Sequence, residues 1–151
     1  LRKETKLTQE ERELLQTHAI RSAELVAIVS DFKGTVLESV RSHHERWDGR
    51  GYPDGIAGEL IPLGARIIMI SDTIDAMTTD RPYRKALGVD VVIAELQKHR
   101  ATQFDPKLVD LVVGSVAIRR AITSQVATPV APPSALRTQG NPRTSLAWKV
   151  K

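Results

Sequence analysis

The chain has 151 residues, 41% of them hydrophobic, which suits one domain with a real core. It contains no cysteine, which excludes disulfides, thiolate metal sites and a cysteine nucleophile, and fits a reducing, cytoplasmic compartment. The net charge of +4 belongs to the end of the chain: from Ala121 onward there are Arg137, Arg143, Lys149 and Lys151 and no acid, so residues 1–120 are formally neutral and lack the basic face that a nucleic-acid polymer would need.

The N-terminal stretch "LRKETKLTQEE" is not a signal peptide, and no apolar run is long enough to span a bilayer. The chain does not begin with methionine and enters a helix signal almost at once, so it is expected to be a fragment of something longer. "TQEE" at Thr8 to Glu11 has the pattern of a capping box. Behind it Leu14, Leu15, Leu25, Val26 and Val29 predict one apolar stripe, with His18 inside it. A second helix is predicted from about Thr35 to Arg46, with Val36, Leu37 and Val40 inward, and its stripe continues onto His43 and His44. "DGRGYPDG" then breaks the pattern with three glycines and a proline.

A third helix from near Pro62 to about Thr79 is apolar on nearly all sides, the signature of a buried central helix. Asp72 and Asp75 sit within it one turn apart. Asp90 is expected to cap a fourth helix running through Leu96 to His99, the latter a surface group or a charge at a helix end. Asp105 and Pro106 suit the N-cap and first position of a fifth helix carrying Val109, Val112, Val113 and Val116. Residues 121–151 are rich in Pro, Ser and Thr and read as a disordered tail, in which Trp148 is incidental. No alternating strand pattern or internal repeat is present, so the class is all-α.

His18, His43, His44 and Asp72 thus fall on the apolar faces of three helices. A buried carboxylate needs a partner, so Asp72 either pairs with Arg66 or Arg81 or binds a metal. Adjacent helical residues point about 100° apart, which makes His43 and His44 awkward ligands for one ion and natural ligands for two. Imidazoles with carboxylates suit iron, manganese or zinc rather than magnesium, and such a metal pair serves phosphoester cleavage. Each histidine taken singly is better explained as an ordinary core or surface residue, whereas the four together would each need a separate partner without a metal. Arg81, Arg84 and Lys85 in "RPYRKA" read either as a phosphate clamp beside Tyr83 or as a solvated, dipole-compensating helix end.

"HHERWDGRGYPDG", "IPLGARIIMISDTIDAMTTDRPYRKA" and "QFDPKLVD" together strongly resemble the HD-GYP family from about Leu7 to Val113. That resemblance implies an all-helical bundle of the HD-domain phosphohydrolase type over residues 1–120, and a bacterial signalling phosphodiesterase that hydrolyses cyclic di-GMP at a di- or trinuclear site, most often of iron or manganese. It implies His18, His43, His44 and Asp72 as metal ligands and Asp75 as an acidic group behind them. Tyr52, Arg81 and Arg84 match positions that contact the dinucleotide, and Asp48, Gly49, Gly51, Tyr52 and Pro53 a rim loop associated with partners such as GGDEF-type signalling proteins. Three positions depart from the family: Ala19 and Ala101 stand where proline and glycine are usual, and the His-Asp pair that completes the metal site is missing. The chain is therefore expected to be the C-terminal part of such a domain, N-terminally truncated and with little activity alone. The alternative is a degenerate, non-catalytic module for protein contacts or nucleotide sensing. A broader nucleotide phosphohydrolase fits the GYP and RPYR pieces less well.

Overall fold

A computed structural model of the chain describes residues 8–29, 34–80 and 84–127. These form six α-helices: α1 (Gln9–Val29), α2 (Thr35–Arg41), α3 (Leu63–Thr78), α4 (Val89–Lys98), α5 (Pro106–Gly114) and α6 (Val116–Ala127). There is no strand among the described residues, and the all-α expectation holds.

The start of α1 is built as its sequence requires. Thr8 N–H donates to Glu11 Oε2 at 2.8 Å, and Glu11 N–H donates to Thr8 Oγ1 at 3.2 Å. The two side chains thereby satisfy donors that the first helical turn leaves free. Asp105 likewise caps α5, accepting from Lys107 N–H at 2.8 Å ahead of Pro106. It also accepts from Arg66 Nη1 at 2.7 Å, which ties α3 to α5. Gly88, not Asp90, is the N-cap of α4; Asp90 sits in the first turn and pairs with Arg119 of α6.

The core lies between the last four helices. Met69 and Ile70 of α3 meet Val92, Ile93 and Leu96 of α4, Val109 and Val112 of α5, Ile122 of α6, and Phe104 from the α4–α5 loop. α1 packs on α2, and α2 on α3, as a ledge beside this core. Gly64 allows the second approach: a Cβ there would lie 2.4 Å from Ser39 Oγ.

Three expectations need correction. The predicted α1 stripe is not buried: Ala19 is fully covered, whereas Leu14, Leu15 and Leu25 are exposed, with Ile28 81% exposed. α3 is not covered all round either, since it buries Ala65, Met69, Ile70 and Thr78 but exposes Leu63 and Ile67. Finally, the chain stays helical beyond residue 120. Ser115 leaves the helical conformation, and its Oγ accepts from Ile118 N–H at 3.3 Å, so α5 ends and α6 begins there. Ile122 is buried in the core, so residues 121–127 belong to the helical unit rather than to the tail. The rest of the expected tail, with Trp148, lies outside the described residues.

Candidate metal centre

The second predicted helix ends five residues early. α2 stops at Arg41, Ser42 N–H closes the last turn on Glu38 O, and Glu45 N–H closes the next turn on Ser42 O. His43 and His44 therefore stand on a turn, where the 100° separation of adjacent helical residues does not apply. Their ring centroids lie 4.1 Å apart, and both face His18 from the middle of α1, at 5.4 and 4.7 Å. One ligand atom from each of the three lies within 4.8 Å of the others. The turn replaces the helical placement expected for this pair, and the three imidazoles together could hold metal.

The backbone sets two of the rings. Nδ1 of His18 lies 2.6 Å from Leu15 O, and Nδ1 of His43 lies 2.6 Å from Val40 O. A carbonyl can only accept, so each Nδ1 carries the proton and each Nε2 offers a lone pair. His44 Nε2 is 2.9 Å from His18 Nε2, and with that tautomer at His18 it is His44 that donates. Burial, then the neighbouring His43 and His18, pushes the His44 pKa down from 6.5 to about 4, so its ring is neutral near pH 7. A half-buried cluster of imidazoles fits a transition-metal ion by donor type.

The loop after the histidines folds back over them. Tyr52 stacks on His44, with centroids 4.9 Å apart and planes at 23°, and its N–H donates to His44 O at 3.3 Å. Burial raises the Tyr52 phenol pKa, which keeps it protonated. Glu45, only 2% exposed, accepts at Oε1 from Asp54 N–H (2.6 Å) and Gly55 N–H (2.9 Å). Arg41 forks onto Asp54 at 2.8 and 2.7 Å, a pairing that raises the arginine pKa and lowers that of Asp54. Gly51 is obligatory by contact: a Cβ would lie 2.4 Å from Arg46 N and 2.5 Å from Glu45 Cα. The stem of the loop is fixed from the far side, where Trp47 and Asp48 N–H donate to Gln103 and Thr102 carbonyls at 3.1 and 2.8 Å.

The carboxylates and arginines singled out in the sequence are placed less centrally. Asp72 is exposed and outside the three-histidine group, which corrects the expectation of a buried carboxylate. It lies seven residues past Ala65, so on nearly the same face of α3. Arg66, its suggested alternative partner, pairs with Asp105. Asp75 is also exposed and accepts from Thr79 Oγ1 at 3.4 Å. Arg84 turns back on α3, donating to Ala76 O at 2.6 Å and Met77 O at 3.3 Å, the helix-end role weighed from sequence. Arg81 and Tyr83 lie outside the described residues. His99 caps α4 and pairs with Glu95 at 3.1 Å.

Glu45 was missed from sequence. Periodicity could not find it, because its burial depends on loop amides nine and ten residues further on. The signal available was a carboxylate directly before a glycine-rich loop with many free N–H groups.

The described residues thus form a helical unit with three imidazoles converging between a helix and a turn. The chain matches the family described as HD domain over residues 1–108 and belongs to it. Among proteins similar to it is the cyclic di-GMP phosphodiesterase response regulator RpfG of Xanthomonas campestris, 38% identical over 135 residues, covering 88% of this chain and 35% of that protein. The cyclic di-GMP phosphodiesterase PA4108 of Pseudomonas aeruginosa is 36% identical over 118 residues, covering 78% of this chain and 28% of that protein. The 3'3'-cGAMP-specific phosphodiesterase 3 of Vibrio cholerae is 37% identical over 107 residues, covering 71% and 23% respectively. The chain thus spans about a third or less of the length of these relatives. The fold is similar to the crystal structure of the V. cholerae cyclic GMP-AMP-specific phosphodiesterase V-cGAP3, with a TM-score of 0.59 at 24% identity, covering 77% of this chain and 30% of that one.

Proposed function

We propose that this chain is part of a metal-dependent phosphodiesterase that hydrolyses a cyclic dinucleotide, cyclic di-GMP first among them, in bacterial signalling. The observation that carries this reading is the convergence of three imidazole ligand atoms within 4.8 Å on a fold of the HD domain family. Similarity to both cyclic di-GMP and cGAMP phosphodiesterases supports the substrate class.

His18, His43 and His44 would hold the metal, iron or manganese in a di- or trinuclear site, with Asp72 as a further ligand. A bound transition-metal ion supplies Lewis acidity toward the phosphoryl oxygens. The chain's own residues do the rest. The Leu15 and Val40 carbonyls keep two imidazoles in one tautomer, and burial keeps the third neutral. Asp75 stands behind the ligand aspartate. Tyr52 and the arginines Arg81 and Arg84 contact the dinucleotide, the arginines at its phosphates. The loop over residues 48–53 forms the rim, and GGDEF-type signalling proteins are the partners it would meet there. A cytoplasmic setting is part of this reading, supported by the absence of cysteine. No described helix is long and apolar enough to cross a membrane. The missing His-Asp half of the site leads us to expect little or no activity from residues 1–151 alone.

Two observations favour a second reading. Arg84 is engaged by the end of α3 and Asp72 is exposed, as in a module that binds rather than cleaves. Metal content and turnover of cyclic di-GMP and 3'3'-cGAMP by the full-length protein, beside His43→Ala and Asp72→Ala, decide between them. Loss of turnover in both variants supports the enzyme. Turnover that survives both substitutions refutes the site, and a full-length protein that binds nucleotide without cleaving it is the non-catalytic module.

A further inference from the structure

Two buried acids stand out among the described residues, Glu45 and Asp105, and only Asp105 is matched with a cation. Glu45 makes both of its hydrogen bonds through one oxygen, to the amides of Asp54 and Gly55. Its Oε2 is buried with no partner among the described residues, and Arg41, the nearby guanidinium, forks onto Asp54 instead. An unpaired buried carboxylate oxygen is unfavourable, so the group is not there for its own stability.

What it holds is the return strand of a loop that starts and ends at the metal centre. Gly51 lies against the Glu45 and Arg46 backbone, and Tyr52, the next residue, donates to His44 O and stacks on the His44 ring. His44 needs this support more than its two companions, because among the described residues no backbone carbonyl accepts from its Nδ1, whereas His18 and His43 each have one. We infer that Glu45 is a positioning residue: it latches the loop that presses Tyr52 onto His44, and so sets the third imidazole. The importance of that ring rests on the metal-centre reading above, but the contacts themselves do not.

The latch needs a long side chain ending in an acceptor, not a charge. Glu45→Gln keeps the Oε1 acceptor, whereas Glu45→Ala removes it and Glu45→Asp is one methylene short. Side-chain NMR of the histidines in the full-length protein, recorded in chelator, reads the stack directly. Wild type and Glu45→Gln should show His44 ring protons shifted upfield by Tyr52, and Glu45→Ala and Glu45→Asp should lose that shift. Titration with Co2+ should then show affinity about 10–100-fold weaker in Glu45→Ala and near wild type in Glu45→Gln, the range expected when a ligand's support is removed. Val109→Ala, a core truncation remote from the loop, should leave the His44 shift in place while lowering the melting temperature.

An unchanged His44 shift in Glu45→Ala overturns the proposal. So does a Glu45→Gln protein that behaves like Glu45→Ala, since charge would then be the active property, or loss of the shift in Val109→Ala, which would mark general loosening. Where Glu45→Ala does not fold, Gly51→Ala lifts the same loop with Glu45 intact, and a retained shift there refutes the latch. A wild-type protein that binds no Co2+ sinks the metal-centre reading, while the ring shifts still decide the role of Glu45.

Discussion

Ala101 offers the cleanest quantitative test of the loop that anchors the site. Its φ is +61°, the one positive value of a non-glycine residue among the described residues. In this region the Cβ crowds the following carbonyl, at a cost of roughly 1–2 kcal/mol. The conformation is imposed by its surroundings: Ala101 N–H donates to Phe104 O at 3.0 Å, and Thr102, Gln103 and Phe104 N–H all converge on His99 O. The same loop presents the Thr102 and Gln103 carbonyls to Asp48 and Trp47. Replacing Ala101 by glycine removes the steric cost. The methyl group is exposed, so no packing is lost. Glycine does make the unfolded chain freer, by about 0.4–1 kcal/mol. The balance predicts that Ala101→Gly stabilises by about 0.5–1 kcal/mol, or roughly 2–6 °C in melting temperature for a domain of this size. Urea unfolding should show a higher midpoint with an unchanged slope. Ala101→Val should do the opposite, losing more than about 1 kcal/mol, because a β-branched side chain is worse still at this φ. A midpoint for Ala101→Gly at or below that of wild type would refute the reasoning.

Further outcomes follow from contacts on either side of the site. Asp105→Ala removes a cap worth about 1 kcal/mol and strands the largely buried Arg66, so it should destabilise by about 2–4 kcal/mol, while Asp105→Asn keeps the cap and loses less; chemical denaturation of both measures the difference. Arg84→Ala frees the Ala76 and Met77 carbonyls and should cost about 1–2 kcal/mol on the same measure, even without any nucleotide present. Mn2+ at one hundred times its dissociation constant should stabilise the full-length protein by about 2.7 kcal/mol, and His43→Ala should abolish the concentration-dependent rise in melting temperature.

The helices were legible from sequence wherever local chemistry decides them. Thr8 and Glu11 form the predicted capping box, and Asp105 with Pro106 opens α5 as its residue types require. Local patterns failed where distant partners act. The hydrophobic stripe of α2 carries on through His43, but Trp47 and Asp48 are claimed by carbonyls more than fifty residues away, and Glu45 by amides in the loop. Those contacts favour a turn over continued helix. Burial was misjudged for a related reason. A stripe such as Leu14, Leu25 and Ile28 shows which face of a helix is apolar, not whether another element among the described residues lies against it.

The early end of α2 is also what makes the histidine pair chemically useful. On a continuous helix the two imidazoles would diverge; on the turn they converge with His18. His43 and His18 then use the same device, an Nδ1–H donated to the carbonyl three residues back, so each tautomer is set by its own stretch of backbone. His44 does not use it. Among the described residues its ring meets His18, His43 and Tyr52, and Tyr52 arrives through a loop held by Glu45, Asp54 and Gly51. Two of the imidazoles are therefore set by local backbone, and on the proposal above the third is set by the loop, so whatever shifts the loop over residues 48–55 would act on the cluster first through His44.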